Sequence, residues 1–292
     1  MMAEPAARIL VAAAVGAVAC GGPTVAPVSA LPERAPTPGD VLLGLLPAGA
    51  DAVAEVDVAR VRDSASVGEV VGALRKRAAS GFDPVGAIDV AVAAVYRLGA
   101  SDAATLFVLR GPAVSTLPES VRAQSELLDD RTLLVGPTEE RDRARSGGPT
   151  LAGDARFLAL RAQAMPAKAS GAVLRVTARL DPQARVAAAG RTGLDEMPAT
   201  LSAWLDVADD VALIAVLGGD DEADAVRLAG QVSAAAARAR RILPDWLPHG
   251  KGGGELTTRT AGRLARVVWL LGPRHLAAWA RETARRLEKT GT

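Results

Sequence analysis

The chain has 292 residues, a formal net charge of +1 and an apolar content of 49%. This length allows one large domain or two ordinary ones, and the near-neutral charge provides no field that would steer nucleic acid. The single cysteine, Cys20, excludes a disulfide scaffold and multi-cysteine zinc sites, and two histidines, His249 and His275, leave little material for metal or Ser-His-Asp chemistry.

The N-terminal residues have the pattern of an export signal. Residues 9–19 form an uncharged, apolar run whose length fits the hydrophobic region of a signal peptide and is too short to span a bilayer. The run ends in Ala17-Val18-Ala19 directly before Cys20. This segment resembles the lipobox of bacterial lipoproteins, although Ala17 stands where that family usually has Leu. The resemblance implies that residues 1–19 are a signal peptide and that Cys20 receives a lipid.

Two other interpretations of the N-terminus remain open. Ala17-Val18-Ala19 also fits the site of ordinary signal peptidase, which would release a soluble protein. An uncleaved anchor that continued to Leu31 would have to contain Pro23 and Pro27. The position of the only cysteine, directly after the cleavage site, favours the lipoprotein.

Residues 20–40 are rich in proline and predict an extended tether of polyproline II character. At the usual rise per residue, such a tether could reach about 60 Å from the lipid surface. In lipoproteins, Asp after the lipidated cysteine favours the inner membrane. Here Gly21 follows Cys20, so the resemblance implies the outer membrane, facing the periplasm or the cell surface.

Residues 41–148 predict a first unit of alternating strands and helices. Residues 45–58 resemble a segment of exported bacterial lipoproteins in which Leu-Leu-Pro-Ala is followed by alternating acidic residues and valines. This resemblance implies no particular activity. The pattern of apolar residues predicts strands at 52–58, 88–98, 105–109 and 131–135 and helices at 67–79 and 118–127.

Residues 149–292 predict a second unit that repeats the order of the first. Strands are expected at 172–180, 200–205, 211–217, 255–260 and 264–271, with helices after Pro182, at 220–242 and after Pro273. We therefore predict an α+β fold of two similar antiparallel sheet-plus-helix units, in β-α-β-β-α-β order like the ferredoxin fold. The alternative is one continuous antiparallel sheet with helices on one face.

Two clusters invite a functional interpretation. The glycine-rich run at 249–254 contains a lysine, but a strand pattern follows it and no Ser or Thr follows the lysine, so a flexible connection is favoured over a phosphate-binding loop. Carboxylates concentrate at Asp206, Asp209, Asp210 and residues 220–222 without the spacing of a calcium loop. The last three favour the start of a helix, where they stabilise its positive end.

The C-terminal quarter offers weaker candidates. His275 has no predicted acid partner or nucleophile, which favours a surface role. Trp246, Trp269 and Trp279 could line a groove, but packing of the last helix on the sheet is favoured. The competing interpretation of that helix is a basic amphipathic segment on anionic lipid.

The sequence favours a membrane-anchored envelope protein that binds or scaffolds something without catalysis. We predict no catalytic, cofactor-binding or metal-binding residue and no cofactor, with lipidation at Cys20 as the one modified site. Expected partners are the membrane, through that lipid, and an envelope protein, but no nucleic acid. The alternative is an envelope hydrolase whose carboxylate site cannot be recognised from sequence.

Overall fold

The structure, a computed structural model, describes residues 37–65, 67–78, 83–166, 169, 171–192, 195–207, 210–242 and 255–289. Ten strands in these ranges form one antiparallel sheet in the order β4-β5-β3-β2-β1-β6-β7-β8-β10-β9. The predicted α+β class is confirmed. The strands are β1 Ala52–Asp57, β2 Val90–Tyr96, β3 Ala104–Arg110, β4 Ser125–Asp129, β5 Thr132–Val135, β6 Leu174–Arg179, β7 Thr200–Val207, β8 Val211–Gly218, β9 Glu255–Ala261 and β10 Leu264–Leu271.

The alternative of one continuous antiparallel sheet is confirmed for the sheet, but helices cover both of its faces, so the expectation of helices on one face is wrong. The face that carries α1, α6 and α7 is called the α1 face, and the opposite face, which carries α3, α8, α9 and α10, is called the α9 face. The helices are α1 Pro38–Leu43, α2 Val58–Asp63, α3 Gly68–Ala78, α4 Pro84–Ala87, α5 Glu119–Arg122, α6 Thr138–Arg145, α7 Ala155–Ala162, α8 Pro182–Thr192, α9 Glu222–Ile242 and α10 Pro273–Lys289.

The ladder between β1 and β6 lies at the centre of the sheet and joins its two halves. On each side of this ladder the strands follow the same order, first, second, third, fifth and fourth along the chain. The ferredoxin-like arrangement is not confirmed, because that fold includes parallel neighbours and every ladder here is antiparallel.

A buried core lies on each face of the sheet. The α1 face buries its core beneath α1 and the short turn at Leu151–Gly153, and α9 covers β8 to β10 on the other face. Burial of large aliphatic side chains of this kind stabilises a fold by about 1.5–3 kcal/mol each. Central members are Leu42, Leu46, Val92, Leu106 and Leu134 on the α1 face and Leu217, Leu228 and Val267 on the α9 face.

Helices α2, α4, α6 and α7 were not predicted from the sequence, and two further segments differ from their prediction. Residues 118–127 were expected to be one helix, but α5 ends at Arg122 and β4 begins at Ser125. The helix α1 begins at Pro38, inside the segment expected to be an extended tether. Proline suits the first helical position because its missing N–H needs no partner there, and Thr37 and Asp40 form a reciprocal capping box.

The last helix, α10, packs on α3 and on the sheet. The predicted apolar stripe is confirmed at Leu276, Ala280 and Ala284, which are buried. The stripe lies near Trp269 and Leu271, on the α9 face. The side chains of Trp279 and Leu287 lie outside the described residues. No helix in the described part of the chain has the length and apolarity needed to cross a membrane.

Candidate functional site

Two clefts open at opposite ends of the central β1–β6 ladder. The first, of about 980 Å³, lies beside α1 and α2 and is called the Asp89 cleft after a carboxylate on its wall. The second, of about 470 Å³, lies between α7 and the ends of β6, β7 and β8 and is called the Arg263 cleft. Both volumes are in the range that holds small molecules in proteins, roughly 300–1,000 Å³.

Most arginines of the Asp89 cleft are paired with carboxylates of the same chain. The two oxygens of Asp89 accept hydrogen bonds from Arg62 Nη2 at 3.0 Å and from Arg131 Nη2 at 3.1 Å. Arg60 donates to both oxygens of Asp206 at 2.6 Å, a bidentate contact. These hydrogen bonds raise the pKa of Arg60 and Arg62.

One guanidinium of the Asp89 cleft is an exception. Arg110 lies at the end of β3 and lines the cleft, and its side chain has no hydrogen bond or ion pair with a described residue, although its charge helps to lower the pKa of Asp129. Three of the four arginines on the wall, Arg60, Arg62 and Arg131, are therefore held by carboxylates of the same chain.

The Arg263 cleft has the opposite character. Arg156, Arg179 and Arg263 stand on its rim with exposed side chains. None of the three forms an ion pair or a side-chain hydrogen bond within the residues that the structure describes. Phe157 and Leu160 of α7 supply apolar surface beside them. The lining also includes Asp51, Asp154 and Asp220, so the cleft places three guanidinium groups and three carboxylates beside an apolar wall.

The carboxylates on the rim of the Arg263 cleft have other partners. Asp154 caps α7 by accepting from the backbone N–H groups of Arg156 and Phe157. Asp51 accepts from the N–H of Leu98 at 2.7 Å, and Asp220 accepts from Arg185 at 2.7 Å. None of these three carboxylates forms an ion pair with Arg156, Arg179 or Arg263, although Asp51 and Asp154 keep their own charge when they accept from backbone N–H groups.

A buried network of charges lies between the two clefts. Arg161 of α7 donates to both oxygens of Glu55 on β1, at 2.5 and 2.7 Å, and to Asp40 of α1 at 2.6 Å. Arg175 of β6 lies directly opposite Glu55 in the sheet and 3.9 Å from Asp40. The four charges sum to zero, and they attach α1 and α7 to the central ladder.

The network favours the charged state of Asp40 and Arg161. Burial alone would raise the pKa of Asp40, but the charge of Arg161 and hydrogen bonds from Thr37 bring it below its usual value. Burial likewise lowers the pKa of Arg161, and the contacts with Glu55 and Asp40 more than reverse this effect. The exposed side-chain fractions of Arg161 and Glu55 are only 11% and 7%.

Most candidates from the sequence play no part in either cleft or are not described. Cys20, His249 and the rest of the run 249–254, together with Trp246, lie outside the described residues, as does the side chain of His275. Trp269 packs in the core near Leu276.

The predicted acidic cluster is dispersed among structural roles. Asp221 accepts from the N–H of Asp224 and caps α9, as the sequence indicated. Asp206 pairs with Arg60, and Asp220 pairs with Arg185, while Asp209 is not described. Within the described residues, no group of three or more His, Cys, Asp or Glu side chains could hold a metal ion.

Sequence reasoning missed the arginines of both clefts. Arg131 and Arg263 each stand directly before the final strand of their half, as the second residue of the short turns Asp130-Arg131 and Gly262-Arg263. That repeated position was the available signal. The partner of each arginine depends on distant chain segments, which no local pattern reveals.

Comparisons with known proteins identify no family for this chain. No family model and no curated protein matches it. Among solved structures, one described as "Structure of crystal form III of TP0453" is 10% identical and covers 83% of this chain and 97% of its own, with a TM-score of 0.43. A likeness at this level carries no conclusion about activity.

Proposed function

We propose that this chain is a membrane-anchored envelope lipoprotein whose folded part binds a small anionic ligand in the Arg263 cleft without chemical conversion. The observation that carries the proposal is a group of three guanidinium groups, around a cleft of about 470 Å³, that form no ion pair with any residue the structure describes. Guanidinium groups present paired N–H donors that match carboxylate and phosphate oxygens.

The composition of the Arg263 cleft supports binding rather than catalysis. A nucleophile needs a general base within hydrogen-bond reach. The hydroxyl-bearing residues that line the cleft, Thr177 and Thr200, have no described histidine or free carboxylate beside them. Asp51, Asp154 and Asp220 are engaged in other hydrogen bonds.

Removal of Arg263 tests this ligand site. We expect Arg263→Ala to weaken binding of octanoate and octyl phosphate roughly tenfold, because a charge-assisted hydrogen bond contributes about 1.5 kcal/mol or more. Arg259→Ala on β9 is the matched control. Arg259 is exposed and has no described ion pair, and its substitution removes the same charge as Arg263→Ala. Isothermal titration at fixed salt would measure both. Equal losses in the two variants would show only general charge attraction and would refute the site.

The anchor is the second part of the proposal. The apolar run at residues 9–19 and the sole cysteine directly after Ala17-Val18-Ala19 support cleavage before Cys20 and lipid attachment there. Gly21 in place of Asp supports the outer membrane. A multiply acylated cysteine gives a stronger hold than one myristoyl chain.

Replacement of Cys20 tests the anchor. We expect Cys20→Ala to leave the protein uncleaved or to move it from the membrane fraction to the soluble fraction. Fractionation and intact-mass analysis of the wild-type and variant proteins would measure this. A wild-type mature protein that begins at Cys20 without lipid mass would contradict the lipoprotein and favour ordinary secretion.

We also propose that the two halves are copies of one unit. The residue pairs Asp57↔Val90 and Arg110↔Thr132 in the first half correspond to Arg179↔Thr200 and Gly218↔Leu264 in the second half. Each pair of the first half lies at the same end of its ladder as the corresponding pair of the second half. Because a shift of one residue would turn every side chain to the other face, matching register in several ladders supports a duplication within one sheet.

A further inference from the structure

The Asp89 and Arg263 clefts occupy equivalent places in the two halves of the sheet. The N–H of Gly111 donates to the carbonyl of Arg131 at 2.9 Å, and the N–H of Gly219 donates to the carbonyl of Arg263 at 2.8 Å. Each glycine directly follows the third strand of its half, and each arginine directly precedes the fifth. Arg131 and Arg263 are therefore structural counterparts.

A second pair of hydrogen bonds identifies the counterpart of Asp89. The N–H of Asp89 donates to the carbonyl of Arg110 at 2.7 Å, and the N–H of Ala199 donates to the carbonyl of Gly218 at 2.8 Å. Both donors directly precede the second strand of their half, and both line their cleft. Ala199 thus stands where the first half has Asp89.

This difference gives Arg131 an acidic partner in the first cleft and leaves Arg263 without a described one in the second. In the first cleft the carboxylate of Asp89 accepts a hydrogen bond from Arg131 at 3.1 Å. In the second cleft the methyl group of Ala199 cannot accept a hydrogen bond, and Arg263 has no partner among the described residues. A second charged position also differs between the two halves: Asp57 at the end of β1 corresponds to Arg179 at the end of β6.

We infer that the Arg263 cleft takes an organic carboxylate whose headgroup occupies the place that the Asp89 side chain occupies in the first cleft. This inference rests on the proposed function and narrows its ligand to a carboxylate with an apolar body. The headgroup contacts Arg263, and the body lies against Phe157, Leu160 and Leu264, which line the same cleft. In the first cleft, the Asp89 carboxylate itself fills the position that we assign to the ligand headgroup in the second.

The test installs the missing carboxylate in the second cleft. Ala199→Asp should weaken octanoate binding at least tenfold, because the new side chain competes for Arg263. Ala199→Ser adds only one oxygen atom and no charge, so it leaves room for the headgroup and should keep binding within about threefold of wild type. Titration calorimetry measures affinity, and thermal unfolding checks that both variants fold. Equal effects of Asp and Ser would overturn the inference, as would wild-type affinity in Ala199→Asp.

The reciprocal change should open the first cleft. Asp89→Ala frees Arg131, while Arg62 keeps Asp63 at 3.5 Å and the carbonyl of Val85, and we expect octanoate stoichiometry to rise from one to two per chain. Unchanged stoichiometry in a folded Asp89→Ala variant would overturn the inference. If that variant does not fold, Asp89→Ser, whose smaller side chain still leaves room for the headgroup, takes its place with the same expectation.

The choice of probes separates failure of the inference from failure of the proposed function. Octanoate binding with no binding of octanol or octylamine supports both. Binding of octyl phosphate without octanoate would leave the anion site standing and overturn the carboxylate inference. Equal binding of octanoate and octanol would show that charge is irrelevant and would overturn both.

Discussion

Replacing Arg161 with alanine should lower the free energy of unfolding by about 3–5 kcal/mol, the range found when one partner of a buried ion pair is removed. Arg161 donates to both oxygens of Glu55 and to Asp40. Its loss would leave two carboxylates facing each other with only Arg175 nearby. Equilibrium urea unfolding of the soluble domain would measure the change.

The control for Arg161 lies on the same helix. Arg156→Ala removes an exposed arginine of α7 that has no described side-chain partner, and we expect a change within about 0.5 kcal/mol. A double variant, Arg161→Met with Glu55→Met, should recover part of the loss, because it removes the unpaired charge as well as the pair. A cost for Arg161→Ala no larger than that for Arg156→Ala would mean that the network does not hold α1 and α7 on the sheet.

Leu276→Ala should cost about 2–5 kcal/mol, the range for truncating a large aliphatic side chain in a core. Leu276 of α10 is fully buried against α3 and the end of β10, near Val67 and Leu271. Its packing makes α10 part of the domain rather than a helix held against lipid. Arg281→Ala, on the exposed side of the same helix, is the control and should change stability by less than about 0.5 kcal/mol.

Hydrogen exchange provides an independent reading of α10. We expect the amides around Leu276 to be protected in the lipid-free protein, because the helix already covers apolar surface there. Free exchange in solution with protection only on anionic vesicles would contradict the packing and favour a second membrane contact.

The sequence located most strands because their apolar runs are long and interrupted by clear turns. The run expected at 211–217 is the strand Val211–Gly218, and the run at 88–98 contains Val90–Tyr96. The edge strand β4 was missed because its residues Leu127 and Leu128 are exposed and charged residues flank them, so it lacks a buried pattern. The capping box that begins α1 was overlooked because proline density dominated the interpretation of that segment.

The candidate site could not be predicted from local patterns because its groups meet across long chain separations. Arg60 and Asp206 are 146 positions apart, and Arg161 and Glu55 are 106 positions apart. Each pair depends on the β1–β6 ladder, which brings the two halves together. An arginine without a partner is recognised only once the positions of all nearby carboxylates are known.

The most direct test of the central claim is the side-chain Nε–Hε resonances of the arginines during an octanoate titration. We expect saturable shifts at Arg263 and Arg179, with Arg259 unaffected and with Arg60, which Asp206 already holds, unchanged. A single dissociation constant should fit the two shifting resonances. Small, non-saturating shifts spread over all exposed arginines would contradict the account, because they would show that the Arg263 cleft attracts anions no more specifically than the rest of the surface.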